Sequence, residues 1–127
     1  SGDLHFEDIP DAWNNKIKKY FNIKVDNNND GCLQDIHWYA GEFGYFPSYT
    51  MGAIVASQLY EHLKISVPEI NLSLKNGDFK LLKSWLLKNI YSKGSLLTFD
   101  ELLKGITGKN IDVETFFKYL KIRYLNQ

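Results

Sequence analysis

The residues best suited to chemistry lie between Gly31 and Tyr49, in the run GCLQDIHWYAGEFGYFPSY. His37 is the first candidate, because a neutral imidazole can bind a metal or move a proton near neutral pH. Asp35 and Gln34 stand close enough in sequence to orient the ring or charge its surroundings. Tyr39, Tyr45 and Tyr49 carry hydroxyls that could donate to a carboxylate or to a developing oxyanion. Each has a structural alternative. A lone histidine is more often a hydrogen-bonding support than a ligand, and tyrosines in a glycine-rich segment often pack it onto neighbouring helices. His5 and His62 do not pair with His37 at helical spacing, and no H-E-x-x-H occurs, so the chain carries no recognisable zinc helix.

The preceding VDNNNDG imitates a calcium loop. Asp26, Asn28, Asp30 and Gly31 match the first, third, fifth and sixth positions of D-x-[DN]-x-[DN]-G, and Leu33 suits the apolar eighth. The twelfth position should be a bidentate glutamate and is His37 instead, which leaves a solvated, Asn-rich turn as the competing reading. Gly41 and Gly44 do not fit a phosphate-binding loop. One free-standing histidine gives no Ser-His-Asp arrangement. Cys32 has no nearby Lys or Arg to activate it and reads as a small buried filler.

These residues must be positioned by helices. Asp8 and Pro10 read as a helix start, followed by Ile9, Trp13, Ile17, Tyr20 and Phe21 at helical spacing. A second helix is expected from about Tyr49 to Lys64. Its apolar face would hold Met51, Val55, Leu59 and Leu63, and Gly52, Ala53 and Ala56 would form a small-residue surface. Pro68 opens a short polar helix ending near Gly77. Asp78 caps Phe79–Tyr91, which Gly94 stops. Thr98 and Glu101 form a capping box for a helix ending near Gly108. Asp112 caps a last helix with Val113, Phe116, Phe117, Leu120 and Tyr124 on its buried side. No strand alternation persists, so the expected class is all-α, one helical segment over residues 1–127 with a long Gly/aromatic loop.

The totals agree with one small domain. The chain has 127 residues, with Lys+Arg and Asp+Glu both 15. That balance argues against a polybasic nucleic-acid or membrane-surface protein. The single cysteine excludes an internal disulfide and makes a reducing compartment the default. No apolar run approaches the roughly 18 residues of a membrane span, and no signal-peptide pattern is present. The start at Ser1 without methionine reads as a processed or cut end.

The central run also carries a family resemblance. Gly31, Gln34, Asp35, His37 and Trp38 reproduce G-x-x-Q-D-x-H-W, a signature of the thermostable carboxypeptidase 1 family, the Taq-type metallocarboxypeptidases. GEFGYFPSYTMGAIVASQLY, from Gly41 to Tyr60, resembles that family's continuation of the signature. GDLHFEDIPDAWNNKIKKY upstream and the helices from GDFKLLKSWLL to FFKYLKIRY downstream resemble its flanking segments, so the likeness covers nearly the whole chain.

The resemblance implies the C-terminal portion of a larger, mainly helical peptidase. The family's H-E-x-x-H helix, its further Glu ligand and its arginine-containing motif have no counterpart here, and no metal ligand carries over. Zinc or cobalt is implied for the parent enzyme only. His37 would face the cleft as a proton-handling or substrate-contacting residue, with Tyr45 and Tyr49 as contacts to substrate or intermediate. Gln34, Asp35 and Trp38 would support that wall, and Gly41 and Gly44 would let the loop run close to it. On this reading the piece is inactive alone. The implied partners are a peptide substrate and, by self-association, a second copy in a cytoplasmic homodimer. Neither nucleic acid nor membrane is implied. The other readings are a free-standing helical interaction domain that has lost catalysis and, further off, a calcium-binding module.

Overall fold

Pro10 occupies the first turn of a helix, where its missing N–H costs nothing, and α1 runs Ile9–Phe21 behind a 3-10 turn at Phe6–Asp8. Asp8 precedes the helix without capping it through its side chain. The helix ends on Asn22, in the left-handed region at φ 55°, whose N–H returns to the Lys18 carbonyl at 3.0 Å. The computed structural model describes residues 2–125, and every regular element among them is helical. The protein is all-α, as its sequence suggests.

The described residues group into two units, divided between Phe46 and Pro47. In the first, α1 is followed by 3-10 turns at Asn28–Asp30 and Cys32–Gln34 and by the short α2, Ile36–Tyr39. In the second, α3 (Pro47–Ser66), α4 (Ile70–Lys75), α5 (Lys80–Asn89), α6 (Phe99–Thr107) and α7 (Val113–Leu120) follow one another. A π-type turn, Lys121–Leu125, continues from α7. No described helix is long and apolar enough to cross a membrane.

The second unit is organised by Leu63, Ile70 and Trp85, with Leu59, Val67, Leu81, Leu82 and Ile106 packed around them. The helix expected to be polar therefore supplies Ile70, one of the two largest fully buried side chains. The face of α3 also differs from expectation. It buries Ile54, Ser57, Gln58 and Leu63, whereas Met51 is exposed. Gln58 explains the difference. Its amide donates to the Asn110 carbonyl (2.9 Å) and to Thr107 Oγ1 (3.2 Å), and its Oε1 accepts the Asp112 N–H (3.0 Å). A polar side chain is buried there because it ties α3 to the link between α6 and α7. On α7, Phe116 and Leu120 are partly covered, but Val113 and Phe117, and Tyr124 in the π-type turn that follows, face solvent, contrary to their expected burial.

The caps follow the sequence. Thr98 Oγ1 accepts the Glu101 N–H while the Glu101 carboxylate accepts the Thr98 N–H, a complete capping box, and Gly108 closes α6 at φ 76°. Asp112 accepts the Glu114 N–H at the start of α7. At α5 the register differs by one residue: Phe79 is the N-cap, without a side-chain cap bond, while Asp78 before it accepts the Lys80 N–H at 3.0 Å, and Gly94 follows the closing 3-10 turn at φ 54°.

The Thr98 backbone N–H and hydroxyl hold Glu101 below its ordinary value, and the Thr115 hydroxyl does the same for Asp112. A carboxylate depressed in the folded state contributes stability that is present above its unfolded pKa and lost as pH falls through its folded pKa. Amide exchange in the first turns of α6 and α7 is therefore expected to accelerate as pH drops below about 4. After correction for intrinsic exchange, Thr98→Ala should flatten that dependence in α6 and leave it in α7.

Candidate functional site

Asp35 builds the site from a helix start. It is the N-cap of α2, and its Oδ1 accepts the His37 backbone N–H at 3.0 Å. The same oxygen lies 2.6 Å from His37 Nδ1, with both side chains largely covered. An ionised carboxylate only accepts, so the proton of a neutral His37 sits on Nδ1 and Nε2 becomes the basic nitrogen. Tyr45 stacks on the imidazole at 5.3 Å with an interplanar angle of 25°, and Phe46 meets it edge-on at 5.4 Å. The Glu42 N–H closes the loop onto the His37 carbonyl at 2.8 Å. Gly41 and Gly44, at φ 75° and 76°, supply the left-handed turns that bring Tyr45 back over the ring.

The other predicted residues are distributed around this centre. Trp38 packs edge-on against Trp13 of α1 at 6.2 Å, beside an apolar cavity of about 460 Å³ that Ile9 and Ile17 also line. Gln34 turns its amide to the Asn29 carbonyl, bracing the loop that enters the signature. Tyr49 stands in the first turn of α3, half exposed, within the second unit. Phe46 and Trp13 join the site beyond the residues that the sequence marks for chemistry. Phe46 lies inside the quoted GYFP and could have been flagged there, whereas nothing local marks Trp13 as the partner of Trp38.

The acidic loop folds as a turn. Asn27 accepts the Asp30 N–H and donates to its carboxylate, and Asp26 pairs with Lys24 at 3.4 Å. Gly31 is buried here: a methyl group at its Cα would lie 2.8 Å from Val25 Cγ1 and 3.2 Å from the Asn27 carbonyl oxygen. Gly31→Ala should therefore destabilise the first unit by about 1–3 kcal/mol, the cost of forcing volume into a packed site. A denaturant titration read by Trp13 and Trp38 fluorescence measures it.

Residues 1–124 match the family described as carboxypeptidase Taq (M32) metallopeptidase. The chain belongs to this family. Thermostable carboxypeptidase 1 of Pyrococcus furiosus is 36% identical over 125 residues, covering 98% of this chain and 25% of the relative. Carboxypeptidase 1 of Bacillus subtilis is 35% identical over 126 residues, with 99% and 25% covered. Among solved structures, metallocarboxypeptidase 1 of Trypanosoma cruzi aligns with a TM-score of 0.93 at 37% identity, over 98% of this chain and 26% of that one. The chain thus spans about a quarter of the length of these M32 relatives.

An M32 metallopeptidase implies a metal, and the residues present do not fit one. Among the described residues no group of three or more His, Cys, Asp or Glu side chains is arranged to hold an ion. Asp35 and His37 form a carboxylate–imidazole pair, which by itself is not such a group. What this arrangement can do is present an oriented imidazole beside a phenol.

Proposed function

We infer that this chain acts as the C-terminal portion of a metallocarboxypeptidase that removes C-terminal amino acids from peptides. In that enzyme the whole helical segment forms one wall of the substrate cleft. The zinc or cobalt and its ligands belong to the remaining part, so the chain alone does not hydrolyse peptides. The observation that carries this reading is the Asp35–His37 pair, held by Tyr45 and Phe46 inside the family signature. Its role is to place Nε2 of His37 against the peptide or its tetrahedral intermediate and to exchange a proton there. Tyr45, stacked on the ring, donates a hydrogen bond to the same oxygen-rich groups, and Tyr49 is a further candidate donor to substrate from the second unit. Gln34, Asp35 and Trp38 act through the loop and the ring they position.

The test is replacement. Residues 1–124 take the place of the matched quarter of the Pyrococcus furiosus relative, and release of C-terminal amino acids from a peptide is measured. The isolated chain with added zinc or cobalt is assayed beside it and should release none. Release by the chain alone would overturn the division of labour.

A second reading, a free-standing helical interaction domain, is favoured by the large apolar side chains at the surface, such as Phe6, Phe43, Ile65 and Leu96. Light scattering tests it: that domain should keep associating with itself or its partners after the complementary part of an M32 enzyme has been supplied.

A further inference from the structure

The second unit carries an apolar groove that its own helices leave open. Its floor is the small-residue face of α3, Ala53, Ala56 and Ser57, and Tyr60 and Phe116 line it beside them. The volume is about 440 Å³. Two of the polar groups that line it are already satisfied within the unit. The Ser57 hydroxyl donates to the Ile54 carbonyl (2.7 Å), and the Tyr60 hydroxyl donates to Asn71 (2.7 Å). The charged residue in the lining is Arg123, whose guanidinium lies 5.9 Å from the Tyr119 ring and 5.7 Å from the Tyr124 ring. No carboxylate lines the groove among the described residues.

We propose that this groove seats a helix from the rest of the M32 enzyme, an apolar helix carrying a carboxylate that pairs with Arg123. This rests on reading the chain as one portion of a larger peptidase. Alanine and serine on the floor let a second helix backbone approach closely, as a larger side chain there would not. Relatives about four times longer supply the polypeptide to fill it. Arg123 selects among candidate helices: its near neighbours Tyr119 and Tyr124 bring no carboxylate, and covering a guanidinium is costly unless a carboxylate offsets that cost.

Ala56→Cys reports occupancy of the groove by its rate of maleimide labelling. Lys75→Cys is the exposed control, and Cys32, only 3% exposed, stays as it is. Overlapping peptides about as long as the 20 residues of α3, drawn from the unmatched three quarters of the Pyrococcus furiosus relative, are added one at a time. At least one apolar, acid-bearing peptide should slow labelling at the groove by about tenfold or more and leave the control unchanged. Arg123→Glu should abolish that protection. If no peptide protects, or if protection survives Arg123→Glu, the proposal is wrong.

A second variant checks it without peptides. Ala56→Trp should leave melting of the isolated chain unchanged and lower that of the replacement enzyme, and equal melting effects in the two would overturn it. A folded replacement enzyme without activity, alongside a protected groove, would leave the docking site standing and remove the catalytic reading instead.

Discussion

His37→Gln in the replacement enzyme should lower kcat by about 10²–10³-fold, the usual loss when a positioned proton-transfer or oxyanion-stabilising group is removed. KM should change little and bound metal not at all. The reason is geometric. Asp35 fixes both the backbone and the ring of His37 through one oxygen, and Tyr45 and Phe46 pack against the ring's face and edge. A group held this firmly before substrate arrives costs no reorganisation during reaction. Asp35→Asn should reproduce part of the loss, because the amide can donate to Nδ1 and so stabilise the wrong tautomer. A change in metal content with either variant would place His37 among the ligands and contradict its assigned role.

Gln58→Leu should produce the largest loss of stability in the second unit that does not come from emptying its apolar core. The side chain is 4% exposed and makes three long-range hydrogen bonds. Leucine fills similar space but leaves the Asp112 N–H and the Asn110 carbonyl without the partner each has now. Both groups are only part-buried, and Asn110 is exposed enough for water to reach its carbonyl, so the loss is set mainly by the Asp112 N–H and is expected at about 1–3 kcal/mol. The Asp112 N–H lies at the entry to α7, so exchange protection should fall first in α6 and α7. Chemical denaturation followed by hydrogen exchange reads both effects. A loss under about 1 kcal/mol would mean that water replaces the amide without cost.

The sequence made its local features legible and its long-range ones obscure. Thr98 with Glu101, Asp112, Gly94 and Gly108 announce helix ends because a cap is completed within a few residues. The all-α class follows from the same periodicities. The buried face of α3 departs from its apolar periodicity because Gln58 finds its partners more than 45 residues away, and no local pattern encodes that. Ile70 was hidden in a segment that reads as polar. Val113, Phe117 and Tyr124 show the converse: periodicity groups apolar residues on one face, but it does not say whether a covering surface is present in the same chain. At the site, the residues of the signature were recognised by resemblance. The pairing of Asp35 with His37 was foreseeable from their spacing, since an N-cap carboxylate naturally reaches the residue two positions on. The contact between Trp13 and Trp38 was not.

The most direct measurement is release of C-terminal amino acids by the replacement enzyme that carries residues 1–124. Activity within about tenfold of the Pyrococcus furiosus relative, a difference of roughly 1.4 kcal/mol in barrier, is the predicted result, with the isolated chain silent under the same conditions. A replacement enzyme that folds, holds its metal and releases nothing would show that this chain no longer forms a working cleft wall.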